Sequence, residues 1–319
     1  MVGSPPIGLI PSASSTIFVR FVRGAAANAL REGPGLCYIA LGGQRPGMSA
    51  ARVIAVANQK GGVGKTTTAV SIASCLAASE RRTLLIDLDP QGNASSALGE
   101  VKPIQHVYSV LVGDCSLSDV TQSTDLDYLS LVPAGPDLVG AEIELVNTDQ
   151  RERRLEISLA PVLDQYDYVI IDCAPSLGIL TINALTAAGS ILVPLQCEYY
   201  ALEGLARLME TTDLVRSQLN PRLALEGIVL TMVDPRNNLS RQVEAEVREH
   251  FGDRVFATRI PRNVRLGEAP SHGLPILLYD IHSRGAVAYL QLTEELLQRH
   301  GAADNPGPDA GVEPRSADE

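Results

Sequence analysis

The sequence predicts an α/β protein built on one mostly parallel, twisted sheet with helices on both faces. Three observations predict it. Near-continuous apolar runs alternate with helix-length stretches through the middle of the chain. A glycine-rich loop stands between the first run and the first helical stretch, and aspartates close two of the later runs. The bulk properties agree, since 319 residues with 45% hydrophobic and 20% charged side chains describe a soluble globular protein with ample core.

The elements follow in order. "RVIAVAN" (52–58) reads as a buried strand, and "KTTTAVSIASCLAAS" (65–79) as a helix of small residues. "RTLLIDLD" (82–89) and "YLSLVPA" (128–134) read as the next strands. "DYVIIDCAP" (167–175), "SILVPLQ" (190–196), "EGIVLTMVD" (226–234) and "RVFATRIP" (254–261) continue the series. Runs apolar at nearly every position are what strands covered on both faces require. Helix-length stretches fall at 138–164, 200–219, 239–251 and 283–299. Ligands of such sheets bind at the carboxyl ends of the strands.

The ends of the chain differ from this middle. Residues 1–50 are rich in Ser, Pro, Gly and Ala, with four arginines against the lone Glu32. They are expected to be a disordered or mis-assigned extension, with translation starting at Met48; an organellar transit peptide is the alternative. Residues 51–300 form the expected folded unit, and 301–319, acidic and rich in Pro and Gly, a disordered tail. The five scattered cysteines form no C-x-x-C pair, which fits a reducing cytosol. A net charge of −11 argues against a protein basic all over, yet leaves room for a local basic face. No apolar run is long enough for a membrane span.

The loop is "KGGVGKTT", Lys60 to Thr67. Gly61, Gly62 and Gly64 let backbone N–H groups approach phosphate oxygens, and the following helix adds its positive end. Lys65 offers a point charge to the outer phosphates, and Thr66 a hydroxyl to Mg²⁺. The usual pattern, G-x-x-x-x-G-K-[ST], is not fully met: Gln59 stands where its first glycine belongs, and Lys60 adds a charge the pattern does not need. Asp172 closes its strand where it can hold Mg²⁺ through water. Asp87 and Asp89 project to one side of a regular strand, where one of them can orient an attacking water.

These blocks carry a resemblance. "KGGVGKTT" is similar to the deviant Walker A loop of the ParA/MinD ATPases, P-loop NTPases of the SIMIBI class. "DLDPQGNASSALG", "IIDCAPSLGILTINAL", "PLQCEYYALEGL" and "IPRNVRLGEAPSHG" resemble the Soj branch of chromosomal ParA proteins, over about residues 51–299. The resemblance implies a weak, partner-stimulated ATPase that uses Mg²⁺. It implies a homodimer formed on ATP, nonspecific binding to double-stranded DNA, a ParB-type partner and a cytoplasmic, nucleoid-associated location. By the same carry-over Lys60 is the signature lysine that reaches the partner's nucleotide, Asp89 positions water, and Asp87 supports the magnesium site. The loop Gly61, Gly62, Val63, Gly64, Lys65, Thr66 and Thr67 holds the phosphates, and Pro261 packs the adenine. Residues 89–99 and 172–178 resemble the two switch segments. A Lys60 that merely screens its own nucleotide is the alternative.

Arg254, Arg259, Arg262 and Arg265 occur with no acid among them, and Arg236 and Arg241 follow the strand ending at Asp234. The planar guanidinium suits phosphate. Taken alone they read as solvated arginines balancing nearby acids. The resemblance makes Arg236, Arg262 and Arg265 the DNA contacts. A MinD-like protein would need a C-terminal amphipathic helix for the membrane, where this chain has its acidic tail. A nucleotide-dependent scaffold that does not hydrolyse ATP is the other alternative.

Overall fold

A computed structural model describes residues 51–99, 105–234 and 236–304. The extension at 1–50 and the tail from 305 onward lie outside the described residues.

Among the described residues, eight strands form one sheet. In chain order they are β1 (Arg52–Val56), β2 (Thr83–Leu88), β3 (Gln122–Ser123), β4 (Leu129–Val132), β5 (Tyr168–Cys173), β6 (Ser190–Gln196), β7 (Ala224–Val233) and β8 (Val255–Pro261). Their order across the sheet is β3-β4-β2-β5-β1-β6-β7-β8. Every pairing is parallel except that of β3 with β4.

The side-chain alternation of each strand divides the core in two. Val53 and Ala55 of β1, with Ile86 of β2 and Ile171 of β5, pack on one face. Ile54, Val56, Leu85 and Ile170 pack on the other. Both faces are covered, so each fully buried aliphatic contributes about 1.5–3 kcal/mol whichever way it points. On the second face lie α1 (Lys65–Ala78) and the long helix that ends the described chain, Arg284–Asp304. Alanines and serines let α1 bury 11 of its 14 residues against the sheet. The Thr68 and Tyr289 hydroxyls, 3.0 Å apart, tie the two helices together.

Three elements differ from expectation. The helix expected over 138–164 breaks into short pieces, with Gln150 at φ +55° and Pro161 inside the last of them. The antiparallel edge strand β3 is only two residues long, too short to leave a periodicity. The last helix, expected over 283–299, runs over Arg284–Asp304. Pro194 sits in the inner strand β6 because β1 pairs with β6 only as far as Leu192 before leaving for the loop. The last backbone bond between the two strands is the Ala57 N–H on the Leu192 carbonyl (3.1 Å), and Pro194, with no N–H, adds none beyond it.

Candidate nucleotide site and arginine face

Where β1 ends, the chain turns under firm control. The Asn58 side chain donates to the Pro194 carbonyl of β6 (2.7 Å) and accepts from the Lys60 N–H (3.0 Å). The Thr231 hydroxyl of β7 donates to the carbonyl of buried Val63 (2.8 Å). Gly62 and Gly64 take φ of +75° and +89°, conformations that strain any larger residue. No side chain caps α1 at Gly64, so its first N–H groups stay available for an anion.

The sheet register brings the carboxylates together. Asp172 of β5 lies level with Val56 of β1 on one side and with Asp87 of β2 on the other. Both Asp172 oxygens are buried and have no hydrogen-bond partner. Burial, then repulsion from Asp87, holds this carboxyl well above the usual range. The Thr66 hydroxyl, near but outside hydrogen-bonding geometry, and the Lys65 ammonium oppose the rise. Burial also pulls the Lys65 ammonium down, against the attraction of Asp172 and Asp89. The Lys65 amine meanwhile donates to the Lys60 carbonyl (3.1 Å).

Two buried acceptors without donors, beside a threonine hydroxyl at a helix start, fit a hydrated magnesium ion brought by a nucleotide. Among the described residues no group of three His, Cys, Asp or Glu side chains could hold a metal alone. The ion would therefore rest on phosphate and water as well as on Thr66 and Asp172. It would neutralise phosphate charge there.

Asp87 has a second employment. One oxygen accepts from the Ser95 N–H (2.8 Å) and hydroxyl (2.6 Å), the other from the Asp89 N–H (3.2 Å). The Ser95 hydroxyl in turn accepts from the Ala134 N–H (3.0 Å) at the end of β4. Burial raises the Asp87 carboxyl to about 6, with these bonds working against the rise. Asp87 thus anchors a short helix, α2 (Asn93–Ser96), inside the first segment that resembles a switch. Asp89, also buried, spends one oxygen on the Gln91 N–H (3.0 Å).

Lys60 points elsewhere. Its ammonium pairs with Glu198, which follows β6, while Asp87 and Asp172 lie on β2 and β5 across β1. Glu198, Ser95, Asn58 and Thr231 were not singled out in the sequence. Glu198 lies 138 residues from Lys60 and Ser95 sits inside a polar loop, so no spacing marks either.

The arginines divide between the two ends of the sheet. Pro261 lies level with Val233, and the Arg262 N–H reaches the Val233 carbonyl (3.4 Å), which puts Arg262 and Arg236 at neighbouring strand exits. Pro261 lines a cavity of about 410 Å³ with Val233, His282 and Arg284. Arg265 follows on a short helix, Val264–Glu268. Arg236 makes a forked pair with Asp234 (3.0 and 3.1 Å), and Arg265 pairs with Glu268 (2.9 Å). Arg254 instead holds the Leu225 carbonyl at the amino end, and Arg259 pairs with Glu244 (2.7 Å).

A glycine-rich loop opening a helix, a buried lysine and a strand-end aspartate with unspent acceptors define a P-loop ATPase. Known proteins narrow the class. Residues 51–225 match the family model AAA_31, described as an AAA domain. The chain is 56% identical over 259 residues to chromosome partitioning protein ParA of Myxococcus xanthus, covering 81% of this chain and 92% of that one. It is also 56% identical to the sporulation initiation inhibitor protein Soj of Bacillus subtilis, over 77% of this chain and 98% of that one. The chain belongs to the ParA/Soj family of ATPases.

Solved structures agree on the fold. That of cobyrinic acid a,c-diamide synthase from Mycobacterium smegmatis, with an ATP analogue and magnesium, superposes with a TM-score of 0.70 at 41% identity, over 79% of this chain and 97% of that one. The cell division ATPase MinD of Pyrococcus furiosus gives 0.65 at 25%, over 78% and 99%. No helix among the described residues is long and apolar enough to cross a membrane.

Proposed function

We propose that this protein is a DNA-segregation ATPase whose ATP-bound homodimer binds DNA without reading its sequence and lets go on hydrolysis. Phosphates sit on residues 61–67, magnesium on Thr66 and Asp172 with Asp87 in support, and adenine against Pro261. Asp89 positions the attacking water, and Lys60 serves the partner's nucleotide. Arg236, Arg262 and Arg265 hold DNA phosphates, so the loaded protein gathers on the nucleoid. A ParB-type protein bound to centromere-like sites accelerates hydrolysis.

One observation carries this reading. The lysine that the phosphate loop does not need is turned away from its own carboxylates toward the β6 exit, with both its side chain and that of Glu198 partly exposed. A cation in that position can serve a second copy, and a positive residue supplied in trans is one way to stabilise phosphoryl transfer. Identity is also higher to the partitioning proteins (56%) than to the diamide synthase (41%). Two weak arginine patches joined in one dimer would make DNA binding depend on ATP through avidity.

Gel-shift binding at low salt, with ATP, with ADP and without nucleotide, tests the proposal. The expected result is binding with ATP alone, indifferent to sequence and abolished by Arg265→Ala. Absence of binding in every nucleotide state would remove DNA from the function.

A further inference from the structure

The Lys60–Glu198 pair has a consequence for when the lysine is free to act. Lys60 is held at two levels from the β6 side. Its backbone N–H is fixed by Asn58, itself bonded to Pro194, and its ammonium is fixed by Glu198 just past the end of β6. Glu198 sits in a tight turn, its N–H on the Gln196 carbonyl (2.9 Å) and its own carbonyl taken by the Ala201 N–H (2.9 Å). The carboxylate is therefore presented from a built position. Tyr199 and Tyr200 follow it, packed edge to face and 75% and 67% exposed, which marks this exit as an open surface beside the loop.

We infer that Glu198 is a positioning residue for Lys60: it parks the ammonium in cis while the protein is monomeric and must release it before the lysine can serve a partner's nucleotide. The inference rests on the proposed role of Lys60 in trans. It differs from a mere surface ion pair in its direction, because a contact that exists only in the open chain opposes closure. Lys60 and Glu198 side chains are 39% and 47% exposed, so the clasp is weak enough for nucleotide phosphates to outcompete. An exposed pair of this kind changes an equilibrium by about two- to fivefold. Each dimer frees two lysines, so the dimerisation constant carries that factor twice, about four- to twenty-five-fold.

The test is sedimentation of the full chain with magnesium and a non-hydrolysable ATP analogue, for wild type, Glu198→Gln and Glu198→Ala. Both variants are expected to dimerise at about four- to twenty-five-fold lower protein concentration than wild type. Their steady-state ATPase should reach half its maximum at correspondingly lower protein, with the plateau rate unmoved. A purely structural Glu198 would instead lower the nucleotide-free melting temperature and leave dimerisation where it is in wild type. Unchanged dimerisation would overturn the clasp, and weaker dimerisation would overturn it by making Glu198 a contact of the closed state. If wild type itself fails to dimerise, the trans role of Lys60 falls and the clasp falls with it, an outcome that the variants alone cannot produce.

Discussion

The two ends of the sheet treat buried polar groups in opposite ways. At the amino end, the Ser190 hydroxyl donates to one Glu226 oxygen (2.6 Å), His300 meets the other (3.0 Å), and the Tyr168 hydroxyl lies 3.1 Å from the second nitrogen of His300. This chain of contacts pins the last helix to the starts of β5, β6 and β7. At the carboxyl end, Asp172 has no partner, Asp87 is raised to about 6 and the Lys65 ammonium is pulled down. A protein built only for stability would have satisfied both ends. The unsatisfied end is where a ligand supplies what is missing.

Substitutions should separate the two ends, beginning with the largest effect. Asp89→Asn should cut ATP hydrolysis by about 10²–10⁴-fold while nucleotide binding survives, read by single-turnover assay and equilibrium binding. Equal loss of binding would instead make Asp89 a ligand contact. Asp172→Asn should lower activity by about 10–100-fold through magnesium. It should also remove the loss of melting temperature that ionising this crowded carboxyl causes as pH rises in the nucleotide-free protein.

At the other end, His300→Ala should cost about 2–4 kcal/mol in urea unfolding, from poorer packing on Tyr168 and an unpaired Glu226 oxygen. The ATPase of the folded variant should barely change. Here pH sharpens the contrast. Burial favours the neutral Glu226 carboxyl, but the His300 and Ser190 contacts overcome it and hold the group below its usual 4.5. A lowered acid stabilises fully above the unfolded value and loses that contribution as pH falls through the folded one. Unfolding free energy should therefore decline below about pH 4.5 more steeply in wild type than in Glu226→Gln. The smallest expected effect is on DNA. On the proposed reading Arg236→Ala removes one phosphate contact from each protomer, two per dimer, and should lower the salt slope of binding by about two units. Arg254→Ala, at the amino end, should leave that slope alone.

Much of the carboxyl end is legible in the sequence. Apolar strands and the loop are local signals, so β1, α1 and the strand exits at Asp87 and Asp172 follow from consecutive residues. The register that puts Asp87 beside Asp172 is not local, and neither is the Asp87–Ser95–Ala134 link. "RVFATRIPRNVR" reads as one basic run, yet the strand carries Arg254 and Arg262 to opposite ends of the sheet. The Lys60–Glu198 and Tyr168–His300 contacts span 138 and 132 residues and leave no periodic trace.

The central claim is that this end is half of a site completed by a second copy, and mixing two dead variants tests it most directly. Lys60→Ala and Asp89→Asn should each be inactive alone. If the lysine acts in trans, half of the randomly mixed dimers hold one complete site, and activity returns to about a quarter of wild type. If mixing restores nothing while both variants still bind ATP and dimerise, Lys60 serves its own nucleotide and the account is wrong.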